Sequence, residues 1–312
     1  MSEALKSPLT SPEACETASP RNSRVGLLYG LSAYVAWGFF PLYFRAVDSV
    51  SPLVVLCHRM LWSALFLGVV VSIRGDWPAI GPAFRSRRSV LLLSAGAVLI
   101  ALNWFLFILA VARRQVLQAS LGYFINPLLS IALGVIFLRE RLRAWQWLAV
   151  SIAAAAVLNL AWGADGFPWL GVALALTFGL YGLVRKKVDA NSLHALMIET
   201  ALLLPVSLTL LVALPAHRPT AATWALLSLS GLVTSIPLLM FGAALRRLPL
   251  STVGFLQYVG PTLQFLVATC LFHEPLDRPK LVSFALCWLA ICVYIADSLI
   301  SRRPLVVADE PD

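Results

Sequence analysis

Charge is scarce in this chain. Only 12% of its 312 residues are Asp, Glu, Lys or Arg, against about 25% in a soluble domain. The hydrophobic share is 60% and the mean hydropathy is +0.84, more apolar surface than a soluble fold can bury. Cysteine is sparse too. Cys15, Cys57, Cys270, Cys287 and Cys292 form no CxxC pattern, and four of them lie in apolar runs. That excludes a disulfide framework and a thiolate metal site. His58, His194, His217 and His273 are scattered without ligand spacing. Walker lysine, HExxH and GxSxG motifs are all missing, so nothing argues for an enzyme or a cofactor. Acidic residues number 15 against 24 basic ones, a net charge of +9. The excess does not point to nucleic acid, because the basic residues sit in short loops between apolar runs, as membrane topology requires. Residues 1–23 are rich in Ser, Pro and Glu and have no apolar stretch. They read as a disordered cytoplasmic tail, not a signal peptide, and residues 301–312 read as a second tail.

What the chain has is long apolar runs. A membrane helix needs about 20 apolar residues. Ten segments qualify: 25–44, 52–73, 89–111, 116–138, 145–163, 167–184, 193–214, 222–245, 250–272 and 280–300. With the N-terminus inside, inner tails and loops hold 17 Lys and Arg and outer loops six, while Arg59 falls within a span. The bias sets both termini in the cytoplasm. Trp77, Trp145, Trp147 and Trp169 lie near span ends, as interfacial anchors do.

The runs also repeat. LQASLGYFINPLLSIALGVIFLRERL from Leu117 aligns with STVGFLQYVGPTLQFLVATCLFHEPL from Ser251 at an offset of 134, so Pro127 meets Pro261 and Glu140 meets Glu274. GLSAYVAWGFFPLYFRAVDS from Gly30 aligns with GVALALTFGLYGLVRKKVDA from Gly171 at an offset of 141. The seven-residue difference falls in the basic loop 74–88. Helices one to five thus correspond to six to ten. Five is odd, so the second half enters from the opposite side. The expected fold is an all-α membrane protein of ten spans in two inverted five-helix repeats, 24–163 and 164–300. Paired hydrophobic segments interrupted by Gly or Pro mark transporters of this construction.

Ionisable residues inside a bilayer cost about 2.5–3.5 kcal/mol or more and usually face a cavity or each other. His58 and Arg59 lie within the second span and Glu199 within the seventh. Each is about 10 Å by helical rise from its own span's start, so direct Arg59–Glu199 pairing needs a reach of about 10 Å across the midplane. On one reading, Arg59 attracts anionic groups while Glu199 or His58 exchanges protons. On the other, Arg59 snorkels or neutralises a neighbour. Pro127 and Pro261 should kink or open their helices. Tyr123, Asn126, Gln257 and Tyr258 beside them offer ring faces, hydroxyls and amides to a small amphipathic solute, or else bond between helices. Asn103, next to Trp104, suits a bond to a neighbouring helix. For Glu140 and Glu274, pairing with Arg139, Arg141 or Arg278 is preferred to a gate.

Several strings carry a family resemblance: AYVAWGFFPLYF at 33–44, HRMLWS at 58–63, NWFLF at 103–107, QASLGYFINPLLSIALGVIFLRERL at 118–142, YGLVRKK at 181–187, IETALLLP at 198–205 and FLQYVGPTLQFL at 255–266. Over about residues 24–300 the chain resembles the RarD proteins of the EamA branch within the drug/metabolite transporter superfamily. The resemblance implies ten helices, two EamA-type repeats, the bacterial inner membrane and secondary transport of small metabolites or drugs. It assigns no site residue. The chloramphenicol-sensitivity label carried by such permeases names a phenotype, not a substrate. The expected function is export of a small amphipathic solute by alternating access, with lipid around the protein and protons as coupling ion. The competing class is a scaffold or sensor subunit without transport of its own.

Overall fold

A computed structural model describes residues 20–84, 86–112, 116–162, 169–214, 220–271, 273 and 278–300. Every regular element among them is helical, as an apolar surround demands. Backbone N–H and C=O groups find no water in hydrocarbon, and a helix satisfies them within one segment. The helices are α1 (Pro20–Gly38), α2 (Phe40–Ala46), α3 (Pro52–Arg74), α4 (Trp77–Ile80), α5 (Arg87–Ala112), α6 (Val116–Leu138) and α7 (Ala144–Trp162). They continue as α8 (Trp169–Lys187), α9 (Ser192–Ala213), α10 (Ala221–Leu245), α11 (Leu250–Gln257), α12 (Val259–Leu266) and α13 (Arg278–Ile300).

Local sequence sets the boundaries. Gly75 ends α3 in the left-handed region at φ 65°, and its N–H reaches back to Ser72 and Val71 carbonyls, the usual glycine stop. Asn191 caps α9 by accepting from Leu193 N at 2.7 Å and His194 N at 3.2 Å, as N-cap side chains do. α1 and α2 form one rod interrupted at Phe39. Pro41 has no N–H to give the carbonyl four residues back, Trp37. Gln264 of α12 supplies the missing donor, Nε2 to Trp37 O at 3.2 Å.

Eight segments are long and apolar enough to cross a membrane: Asn22–Ala46, Pro52–Arg74, Arg87–Phe107, Ala144–Trp162, Ser192–Ala213, Ala221–Leu245, Leu250–Leu271 and Leu281–Ser298. The other two expected spans are helices of a different kind. α6 contributes a shorter apolar stretch, Gly122–Leu138. α8 has 19 residues, and Arg185, Lys186 and Lys187 occupy its last turn.

The packing partners are few and close. α3 lies on α9 and α10, α8 on α5 and α6, α1 on α10 and α12, α6 on α11, and α7 on α13. Arg143 at the start of α7 pairs with Asp297 near the end of α13 at 3.0 Å. Asn159, near the end of α7, donates to Pro279 O at 2.9 Å and Ser283 Oγ at 3.0 Å at the start of α13. The two helices are therefore antiparallel. The largest apolar cluster includes Leu67, Leu93, Tyr181, Phe241 and Leu245. Small residues set the tightest crossings, as in other helix pairs within membranes. A Cβ at Gly231 of α10 would stand 2.4 Å from the Trp62 carbonyl carbon and oxygen on α3, while one at Gly68 would meet only Met197 Cε, at 3.9 Å.

Gly231→Ala should therefore push α3 and α10 apart and cost about 1–3 kcal/mol, the usual overpacking penalty. Gly68→Ala should cost nothing. Melting of the two purified variants in detergent checks the contrast.

Candidate transport site

Arg59 stands two turns into α3 and meets four other helices. Its Nε donates to Thr234 Oγ1 of α10 at 2.9 Å. Its guanidinium carbon lies over three rings, Phe40 at 5.9 Å, Phe44 at 5.6 Å and Trp104 at 5.4 Å. Phe40, Tyr43 and Phe44 share one face of α2 through their i, i+3, i+4 spacing. Tyr43 fixes that face by donating to Leu226 O at 3.1 Å. The phenols of Tyr43 and Tyr123 are close enough to act electrostatically on the guanidinium. Arg59 itself is half-buried. Tyr123, on the α6 side, is 40% exposed. No carboxylate among the described residues pairs with Arg59. His58 is buried and meets Trp224 edge-on, with centroids 5.3 Å apart.

Glu199 has a different arginine. Arg185 Nη1 approaches Glu199 Oε1 at 3.4 Å, with both side chains almost wholly buried. Tyr181 donates to Glu199 Oε2 at 3.1 Å, and Arg185 Nη2 donates to Ser192 O at 3.3 Å. Two glycines give this pair its room. A Cβ at Gly96 of α5 would lie 2.6 Å from Glu199 Oε1, and one at Gly242 of α10 would lie 2.6 Å from Arg185 Nη2. Sequence reasoning counted Arg185 as a loop cation and missed this role. The available signal was its place as the first of three cations, one turn beyond Tyr181 and 14 residues before Glu199.

The remaining candidates lie mostly between helices. Asn103 of α5 donates to Leu174 O at 2.9 Å and Thr177 Oγ1 at 3.0 Å on α8. α6 runs unbroken through Pro127. Its counterpart is interrupted at Tyr258, between α11 and α12, three residues before Pro261. α6 and α11 cross at the first proline, where a Cβ on Gly254 would stand 2.9 Å from Pro127 O. Gln257 Nε2 donates to Ser130 Oγ at 3.0 Å across the same crossing. Tyr258 is buried, and its hydroxyl, like Asn126 Oδ1, has no hydrogen-bond partner among the described residues.

Glu140 does not pair with a neighbouring arginine among the described residues. Its carboxylate accepts from the backbone N–H of Leu250 at 2.6 Å and of Ser251 at 2.8 Å. It thus caps the start of α11, 110 residues away. Free N–H groups and the helix dipole make that terminus a carboxylate site. Arg139, held left-handed at φ 55°, turns the chain so that Glu140 can reach. Gly134 leaves the space, since a Cβ there would lie 2.7 Å from Glu140 Oε2. Nearby, Lys186 Nζ donates to Leu245 O at 3.0 Å and also to Leu248 O. Glu274 lies outside the described residues. His273 before it is left-handed at φ 52°, and 273 − 139 = 134 recovers the offset of the repeat. At the same end of the bundle, Asp76 meets Arg74 at 3.0 Å and His194 at 3.4 Å. Desolvation pushes its carboxyl up, but hydrogen bonds and charge from His194 and Arg74 prevail and hold it below the usual range.

Helices of membrane-spanning length, internal breaks at proline and buried charges between them define a multi-pass membrane protein. Its family follows from two matches to the EamA-like transporter family, over residues 24–162 and 168–296. The chain belongs to that family. It is 44% identical to an uncharacterized transporter of Pseudomonas aeruginosa, over 91% of this chain and 97% of that one. It is 41% identical to Protein RarD of Escherichia coli, over 91% and 98% of the two chains. A Pseudomonas aeruginosa relative at 32% identity, covering 89% and 96%, bears the name chloramphenicol-sensitive protein RarD. One crystal structure superposes with a TM-score of 0.70 at 17% identity, covering 89% of this chain and 99% of the other. That likeness concerns the fold alone.

Removing one partner of a buried ion pair leaves a charge without compensation, at about 3–5 kcal/mol. Glu199→Gln and Arg185→Gln should each melt far below the parent protein, and the double variant should recover much of the loss. Glu140→Gln weakens a charged cap and should cost about 1–2 kcal/mol. Gly134→Ala should lower the melting temperature in the same way.

Proposed function

We propose that the protein is a secondary active transporter that exports a small amphipathic metabolite or drug across the bacterial inner membrane by alternating access. In this reading ten helical rods cross the membrane as two inverted five-helix halves, 24–163 and 164–300, with both termini cytoplasmic. α1 with α2 counts as one rod and α11 with α12 as another. The family supports a transporter. The left-handed pair Arg139 and His273, at the offset of the proline pair, supports the repeat.

One observation carries the reading. At the end of the bundle where α6 finishes and α11 starts, the two halves are bonded across by the Glu140 cap. The Arg185–Glu199 pair and the Lys186 contacts lie toward that same end. Nearer the other end, Arg59 is half-buried and Tyr123 is exposed. A bundle whose halves are joined by an exchangeable polar contact at one end, with a half-buried cation nearer the other, fits a protein that alternates between two states. Loop charge makes the bonded end cytoplasmic. Arg59, Tyr123 and Asn126 then line the path from outside, with His58 behind them. Pro127, Pro261, Gln257 and Tyr258 form the crossing about which the halves rock, and Asn103 holds α5 to α8. Glu199 is the proton carrier in this scheme. It releases or accepts a proton only when Arg185 moves away, which couples protonation to opening of the bonded end.

Reconstitution tests the reading. Proteoliposomes screened with chloramphenicol, amino acids and aromatic metabolites should show saturable flux of at least one solute without any partner protein. An imposed pH gradient should accelerate that flux, and Glu199→Gln should abolish the acceleration. Flux that ignores the gradient removes proton coupling. Flux that appears only with a partner protein supports a scaffold.

A further inference from the structure

Arg59 and Arg185 are two arginines inside one apolar bundle, treated in opposite ways. Arg185 has a carboxylate at 3.4 Å and a phenol sharing that carboxylate. This is how the chain neutralises an arginine with a carboxylate of its own. Arg59 has neither. Among the described residues its one hydrogen bond is from Nε, to Thr234, so the two terminal nitrogens are left without protein acceptors. Three ring faces surround the cation. Rings favour a cation by about 0.5–2 kcal/mol each, yet they accept none of its strong hydrogen bonds. A guanidinium whose terminal nitrogens have no acceptor among the described residues is a fork for a carboxylate.

We infer that the Arg59 box is an anion subsite, and that its ligand is an amphipathic organic acid with a single negative charge. Charge and shape on the page both select this class. Among the described residues no carboxylate pairs with Arg59 and the tyrosines beside it are phenols, so the box as described offers one positive charge to one negative one. A phosphate dianion would leave an uncompensated charge beside Phe40, Phe44 and Trp104. Those rings, with the 40% exposed Tyr123 beside them, offer apolar contact to whatever hydrocarbon the carboxylate carries. A neutral solute would leave the guanidinium unpaired, and a cation would meet repulsion. The inference rests on the transporter reading only for the claim that this subsite lies on a transport path.

Binding to the purified full-length chain, read by thermal shift, tests the subsite apart from transport. The probes share a skeleton and differ in charge: phenylacetate, 2-phenylethanol, phenethylamine and phenyl phosphate, with octanoate as an aliphatic acid. Phenylacetate and octanoate should stabilise saturably, and the alcohol and amine should not. Acetate should compete with phenylacetate in the unaltered protein, a measurement that needs no variant. Arg59→Gln should weaken phenylacetate binding at least tenfold. Arg59→Lys keeps the charge but loses the fork, and should weaken it less. Equal stabilisation by 2-phenylethanol, absence of binding by both acids, failure of acetate to compete, or unchanged binding in Arg59→Gln would each overturn the subsite. Phenyl phosphate binding ten times tighter than phenylacetate would overturn the single charge. The two readings separate in flux measurements. Acid binding without flux of any solute leaves the subsite standing and removes the transporter, whereas solute flux indifferent to Arg59→Gln and to acetate removes the subsite and leaves the transporter.

Discussion

The bundle is organised around the buried pair of Arg185 and Glu199. Four helices adapt to it. α8 supplies the arginine and Tyr181, α9 supplies the glutamate, and α5 and α10 place Gly96 and Gly242 against the two charged groups. In an apolar interior each ion alone carries a solvation penalty of several kcal/mol, and only close pairing with further hydrogen bonds offsets it. The choice of glycine at 96 and 242, and of tyrosine at 181, follows from that one requirement. So does the last turn of α8, where the first cation of a basic run points back into the bundle.

The same requirement explains why Arg59 stands apart. A chain that can neutralise one buried arginine with a carboxylate does not do so for the other among its described residues. It provides ring faces and one threonine oxygen instead. Rings lower the cost of holding a cation without removing its charge. The outcome is a cation with its attraction unspent, beside the exposed Tyr123. Burial follows the same division, since Arg185 is buried and Arg59 only half-buried.

Much of the architecture was legible in the sequence, because lipid leaves few choices. Long apolar runs must be helices, and the shared prolines at 127 and 261 exposed the repeat before any coordinate was known. Arg59 and Tyr123 were singled out as polar groups in apolar runs, and the structure brings them together. The partners were harder to read. Arg185 belongs by composition to a basic loop, and counting it for topology concealed its side chain's return to Glu199. Phe40 and Phe44 are two aromatics in an apolar run, and nothing local says that a cation from α3 will lie over them. Glu140 finds backbone amides 110 residues away, and backbone donors carry no sequence signature. Asn103 followed the simpler rule that an amide inside a bundle bonds the next helix.

Glu140 also bears on how such a bundle can move. A contact that holds one end closed must be strong enough to define a state and weak enough to exchange. A buried ion pair fits only where a proton neutralises the carboxylate as the pair parts, since otherwise two charges are stranded in a low dielectric. A carboxylate on helix N–H groups fits better. Near the α6–α7 connection Glu140 is only partly buried, so water can replace either partner when the contact opens, and charge-assisted bonds of this kind are worth about 1.5–3 kcal/mol. The left-handed turn at Arg139 aims the carboxylate, and its recurrence at His273 places the same turn one repeat later. Alternating access, as proposed, needs two states of near-equal energy, because a solute can tip a balance of a few kcal/mol but not one of tens.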